Sequence, residues 1–158
     1  MTANEQLIHT FYTCFQNRDY KGMQACYADH ATFSDAVFKN LNADQVKAMW
    51  EMLITSAKDL TIEFSAIAAD ENSAKAHWNA YYTFSATNRK VVNRVDASFE
   101  IENGKITKHV DHFNFYAWAK QALGLSGFLL GWTSFLQQKV SAQAMQKLAN
   151  FMAKTGKV

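Results

Sequence analysis

The chain has 158 residues, 49% of them apolar and 19% charged, a balance that supports one domain with a packed core and excludes disorder. Proline is absent and glycine numbers only six, which excludes collagen-like, proline-rich and flexible-linker chains. The net charge of +2 conceals an asymmetry: residues 1–111 carry eleven Lys/Arg against fourteen Asp/Glu, whereas residues 112–158 carry five Lys and no acid. The favoured reading lays this basic tail across the acidic body of the same molecule; contact with a membrane surface is the lesser reading, and no nucleic-acid partner is expected. Cys14 and Cys26 are too few for a disulfide framework. The start, MTANEQLIHTF, has no basic or apolar leader character, so a cytoplasmic protein is expected. The longest apolar stretch, Ala122 to Leu136, is shorter than the roughly 18–20 residues of a spanning helix.

In chain order, Leu7, Ile8, Phe11 and Phe15 recur at helical spacing and predict a first helix, with Thr2 or Asn4 as its cap. Met23, Cys26 and Tyr27 predict a short second helix capped by Asp19. Ala31 to Asp35 reads as a short strand or extended turn. A third helix opens at Asn42-Ala-Asp44, with Val46, Met49, Trp50, Leu53 and Ile54 facing inward. The period then changes to two. Leu60 to Ile67, Ala74 to Ser85, Val91 to Glu102 and Lys105 to Tyr116 read as four antiparallel strands, the last two joined at Asn103-Gly104. The tail returns to a helical pattern through Phe135, Val140, Ala144, Leu148, Phe151 and Met152. This order predicts an α+β fold: N-terminal helices packed on a curved antiparallel sheet, plus a C-terminal helical extension.

Two strings carry a resemblance. Tyr27-Ala-Asp-His-Ala-Thr-Phe-Ser-Asp35, and Glu102-Asn-Gly-Lys-Ile106 followed by His109-Val-Asp111-His-Phe-Asn114, resemble the nuclear transport factor two-like superfamily. That superfamily includes ketosteroid isomerase, SnoaL-type polyketide cyclases, scytalone dehydratase and limonene epoxide hydrolase. The resemblance implies a cone-shaped domain over residues 1–116 that encloses an apolar pocket. Residues 117–158 then form a helical extension: a lid, a dimer arm or a surface anchor, of which the first two are favoured. It also implies a homodimer through the convex sheet face, because some of the rings of Trp78, Tyr82, Phe84 and Phe99 would point that way.

The resemblance further assigns the candidate chemistry. Asp35 stands where the isomerases keep their general base, and Asp96 where they keep a protonated aspartate that donates to the substrate oxyanion. Phe11 replaces the isomerase tyrosine, with Tyr12 one residue on. Asp111 matches the epoxide hydrolase aspartate, while His77 and Asn79 replace that enzyme's Arg-x-Asp pair. An Asp111–His77 pair would transfer protons near neutral pH. The catalytic candidates are therefore Asp35, His77, Asp96 and Asp111. The substrate-binding candidates are Phe11, Tyr12, Phe33, Trp50, Asn79, Tyr81, Phe113 and Phe115. Plainer alternatives stand beside them: Asp35 as a turn carboxylate, Asp96 paired with Arg94, His77 as an inert core histidine. A metal site of His77, His109 and Asp111 is considered and set aside, and no cofactor is expected. The expected function is acid/base catalysis on a small apolar, ring-containing or polyketide-like molecule. The alternative is a non-catalytic module that binds a small molecule or a protein.

Overall fold

The fold comes from a computed structural model, which describes residues 1–156. Helix α1 (Ala3–Gln16) is closed at its start by a Thr2–Glu5 capping box and buries Ile8, Phe11, Tyr12 and Phe15, an i, i+3, i+4, i+7 stripe. Asp19 caps the short α2 (Tyr20–Ala25) by accepting from the Gly22 amide. Strand β1 (Tyr27–Ser34) follows, longer than the extended turn expected there. An Asn42–Gln45 capping box then opens α3 (Ala43–Ser56), which buries Val46, Met49, Trp50 and Ile54.

The chain next lays down β2 (Thr61–Ala69), β3 (Ser73–Phe84), β4 (Arg89–Glu102) and β5 (Lys105–His112). The sheet is curved and unclosed, and its order is β1-β5-β4-β3-β2. The four-strand meander is as expected, but β1 adds a fifth strand, parallel to β5, with Phe33 opposite His109. A parallel edge strand is hard to see in sequence, because its partner lies over seventy residues away. On β3, Ala74, Ala76, Trp78 and Ala80 face the helices; on β4, Val95, Ala97, Phe99 and Ile101 do. The alanines on this face leave room for the rings that α1 and α3 press into it.

Strand β5 ends earlier than its apolar pattern suggests. Asn114 accepts from the Ala117 amide and caps α4 (Phe115–Leu123), so Phe115 is a helical residue rather than a continuation of the strand face of His109 and Asp111. The tail is three helices: α4, the one-and-a-half-turn α5 (Leu125–Leu130) and α6 (Ser134–Lys154). Helix α4 lies on β4, where the Gln121 side chain bonds both the amide and the carbonyl of Val92. A second apolar cluster forms there from Val91, Phe115, Trp118, Ala119 and Ala122 against Tyr82, Phe84 and Phe113. Helix α6 packs on α3 through Leu148 and on the loop after β1, where Gln137 and Ser141 donate to the carbonyls of Ala36 and Val37.

Candidate functional site

Among the described residues, the buried polar or charged positions are His109 and Asp111, 1% and 3% exposed. Their spacing of two on β5 turns both side chains inward. There they join a chain of hydrogen bonds through the core. The Trp50 indole Nε1 donates to the Tyr27 hydroxyl at 2.9 Å. Tyr27 Oη lies 2.8 Å from His109 Nδ1, and His109 Nε2 lies 2.8 Å from Asp111 Oδ1. The donor inventory orders this chain. Indole can only donate, so the Tyr27 oxygen accepts from Trp50, and the Tyr27 hydroxyl shares its next hydrogen bond with His109 Nδ1. At its far end the chain closes between His109 Nε2 and the Asp111 carboxyl. Burial and the Asp111 charge hold the Tyr27 phenol well above its usual range, against the Trp50 hydrogen bond, so Tyr27 keeps its proton.

The surroundings are aromatic. Phe11 makes edge-to-face contacts with Tyr27, Trp50, Phe99 and His109. Phe33 meets the His109 ring at 4.9 Å, and Phe99 lies 4.3 Å from it. Asp111 sits opposite Ala97, the smallest neighbour the register could supply. Tyr12 is wholly buried beside Phe11, and its hydroxyl has no hydrogen-bond partner; nor has the Trp78 Nε1. Burial first, then the charge of Asp111, raises the Tyr12 phenol. An unpartnered buried hydroxyl near a carboxylate is an open donor.

Asp35 stands just beyond the end of β1. Its Oδ1 accepts from the Val37 and Phe38 amides at 2.7 and 2.6 Å, the turn-carboxylate arrangement. Burial nevertheless pushes its carboxyl up to about 6, against those two amides, with the Asp111 charge adding to the rise. The Asp35 charge in turn raises Tyr82, after burial and against the hydrogen bond from Trp118 Nε1. The Asp111 charge thus reaches Asp35, and the Asp35 charge reaches Tyr82 under α4.

Four expected site residues lie elsewhere. His77, Asn79 and Tyr81 project from the outer face of the sheet, because Ala76, Trp78 and Ala80 occupy the inner one. Asp96 is outside for the same reason, between Val95 and Ala97. There His77 Nδ1 meets Asp96 Oδ1 at 2.9 Å, His77 Nε2 meets Asn79 Oδ1 at 3.0 Å, and Tyr81 donates to Glu63. The expected Asp111–His77 pair is not formed; the partner of Asp111 is His109 on its own strand. The expected Arg94 partner of Asp96 is replaced by His77. With His77 and His109 on opposite faces, the metal set weighed from sequence is not brought together. The rings of Trp78 and Phe99 face the core, and Tyr82 and Phe84 pack under α4, so none of the four lies bare on the outer face. The sequence places His109 on one strand face with Asp111, but the hydrogen bond between them and the role of Tyr27 are not legible there.

The family model for the SnoaL-like domain matches residues 8–109. No protein of curated function matches the chain by sequence. Solved structures share its fold at low identity. A candidate polyketide cyclase from Silicibacter is 17% identical, with 76% of this chain and 95% of that one covered and a TM-score of 0.65. An LEH-like epoxide hydrolase from M. tuberculosis is 18% identical, with 85% and 95% covered and a TM-score of 0.60. A protein from Catenulispora acidiphila with a ketosteroid isomerase-like fold, crystallised with trimethylamine, is 8% identical, with 73% and 91% covered and a TM-score of 0.64.

Proposed function

We propose, from the premise that this chain belongs to the SnoaL-like domain family, that it is a cofactor-independent acid/base enzyme acting on a small apolar, ring-containing molecule. The fold is shared with proteins of several chemistries, so the reaction is inferred from this chain's own side chains. The observation that carries the reading is the buried series Trp50–Tyr27–His109–Asp111, which ends in a carboxylate within an apolar, aromatic interior.

In this reading Asp111 is the base. His109 orients its carboxyl group through Nε2, and Tyr27 and Trp50 hold the histidine ring in place. Asp35 is the acid. Its carboxyl is pushed up to about 6, so about one molecule in ten holds its proton at pH 7, far more than for an ordinary aspartate. A buried carboxyl as base and a second carboxyl whose proton affinity is raised suit removal of a proton alpha to a carbonyl and return of a proton to the oxygen or to a leaving hydroxyl. The Tyr12 hydroxyl supplies a further donor to a developing oxyanion. Phe11, Phe33 and Phe113 offer the apolar walls. Rings fill this interior, and α4 and α6 close its end, so the substrate enters when the C-terminal helices move. Helix α6 meets the Asp35 loop through the hydrogen bonds of Gln137 and Ser141.

The filled interior favours a second reading, a binding module whose catalytic space is occupied by its own side chains. The test separates the two. The protein is incubated in heavy water with cyclic ketones such as 2-tetralone, and deuterium uptake alpha to the carbonyl is followed by proton NMR. The enzyme reading expects accelerated exchange that falls about 100-fold or more in Asp111→Asn. Binding of the same ketones with no accelerated exchange, and with affinity unchanged in Asp111→Asn, assigns the protein to the second reading.

A further inference from the structure

The tail carries a surface that the interior chemistry does not use. Leu125, Phe128, Leu129, Leu130, Trp132 and Phe135 are all exposed, Trp132 and Leu125 at 74% and 72%. They fall within residues 125–135 and lie on α5, the turn after it and the start of α6. Their exposure is built into the packing. Gly127 is buried against α4, where a Cβ would collide with the Ala119 carbonyl, and a Cβ on Gly131 would crowd the Ala119 and Tyr116 side chains at 2.9 Å. The glycine side of α5 therefore faces the protein, and the Leu and Phe side faces away. So large an apolar patch on a small domain marks a binding surface.

Charge identifies the occupant. Beside this patch a surface cleft is lined by Asn88, Arg89, Lys90, Ala117, Lys120 and Gln121, three cations and no carboxylate. Lys90 also reaches Asp59 at 3.5 Å, outside the cleft lining. Arg89 joins cleft to patch: its Nε donates to the Gln121 carbonyl, and its guanidinium lies over Gly124, the residue that opens α5. Lys120 stands over the Tyr116 ring at 4.7 Å. Residues 112–158 hold five Lys and no acid. A second copy meeting this face across a twofold axis would set these cations near their own equivalents. Leu, Phe and Trp rimmed by Lys and Arg instead match an anionic bilayer surface, with the rings at headgroup depth. Among the described residues no helix is long and apolar enough to cross a membrane, so the contact is interfacial.

We propose that the exposed face of α5 and the start of α6, with the Arg89–Lys90–Lys120 cleft beside it, docks this protein on anionic phospholipid membranes. The inference stands independently of the interior chemistry. The test is flotation with phosphatidylcholine vesicles containing roughly 30% phosphatidylglycerol, against vesicles of phosphatidylcholine alone. Wild type is expected to bind the anionic vesicles about tenfold or more above the neutral ones, and less as salt rises. The double variant Phe128→Ser, Trp132→Ser should lose about tenfold or more of that binding. Lys120→Gln should lose about fivefold on anionic vesicles and nothing on neutral ones. These side chains are exposed, so circular dichroism should show all variants folded. Absent binding, equal binding to both vesicles, or variants that bind as wild type overturn the proposal. So does a wild-type dimer in light scattering that the double variant converts to a monomer without vesicle binding, which gives this face to a second copy.

Discussion

Replacing Asp35 with asparagine should stabilise the protein at neutral and alkaline pH, and progressively less as the solution is acidified. The Asp35 carboxyl is pushed from 3.8 to about 6, mainly by burial. Between those values the folded chain holds a proton that the unfolded chain has released. Stability therefore falls as pH rises through this window, and the whole penalty is present above it. At about 1.4 kcal/mol for each pH unit, the rise amounts to about 3 kcal/mol. Asp35 is half-buried, so solvent reduces this to about 1–3 kcal/mol. An asparagine keeps an amide oxygen for the Val37 and Phe38 amides and removes the charge. Urea unfolding at about pH 8 should therefore show Asp35→Asn more stable by about 1–3 kcal/mol, shrinking to about a third of that near pH 4.5. A variant no more stable than wild type at the higher pH, or an advantage that does not shrink on acidification, would refute the reasoning.

Other outcomes follow from the same geometry. Tyr27→Phe leaves the Trp50 indole and His109 Nδ1 without partners and should cost about 2–4 kcal/mol in urea unfolding; a loss below about 1 kcal/mol would sink the hydrogen-bond chain as drawn. His77→Ala, on the outer face, should change stability by less than about 1 kcal/mol and leave any ketone exchange unchanged. Gly127→Ala should cost about 1–3 kcal/mol and raise amide exchange in α4 and α5 while sparing α1; uniform protection would contradict the close approach of these helices. If Asp35 is the acid, exchange should fall as pH rises through about 6, and that limb should vanish in Asp35→Asn.

The elements that were legible in sequence are those whose signal is local. The α1 stripe needs only the spacing of Ile8, Phe11 and Phe15, and the caps at Asp19 and Asn42 need only a side chain two or three residues from its amide. The meander was legible from alternation and from Asn103-Gly104, where φ is positive at both residues. The end of β5 was misjudged because apolar residues continue past it, and only the Asn114 cap marks the change to helix.

The placement of the candidate residues was half legible. Asp111 and Asp35 were named from their strings, and both lie at the interior; Phe11, Tyr12, Phe33 and Trp50 are core rings around it. His77, Asn79, Tyr81 and Asp96 were placed inside by resemblance, yet period-two alternation already excluded it. Trp78 cannot share the inner face with His77, nor Phe99 with Asp96.

By itself, the sequence determined the family, the order of helices and strands, and the uneven charge of the tail, because each is written in neighbouring residues. Which histidine meets Asp111, that β1 lies beside β5, that Trp50 reaches Tyr27 and that α5 turns its leucines outward were decided only by the tertiary structure. Each depends on register and close approach between segments far apart in the chain, where a shift of one residue would exchange the two faces of the sheet.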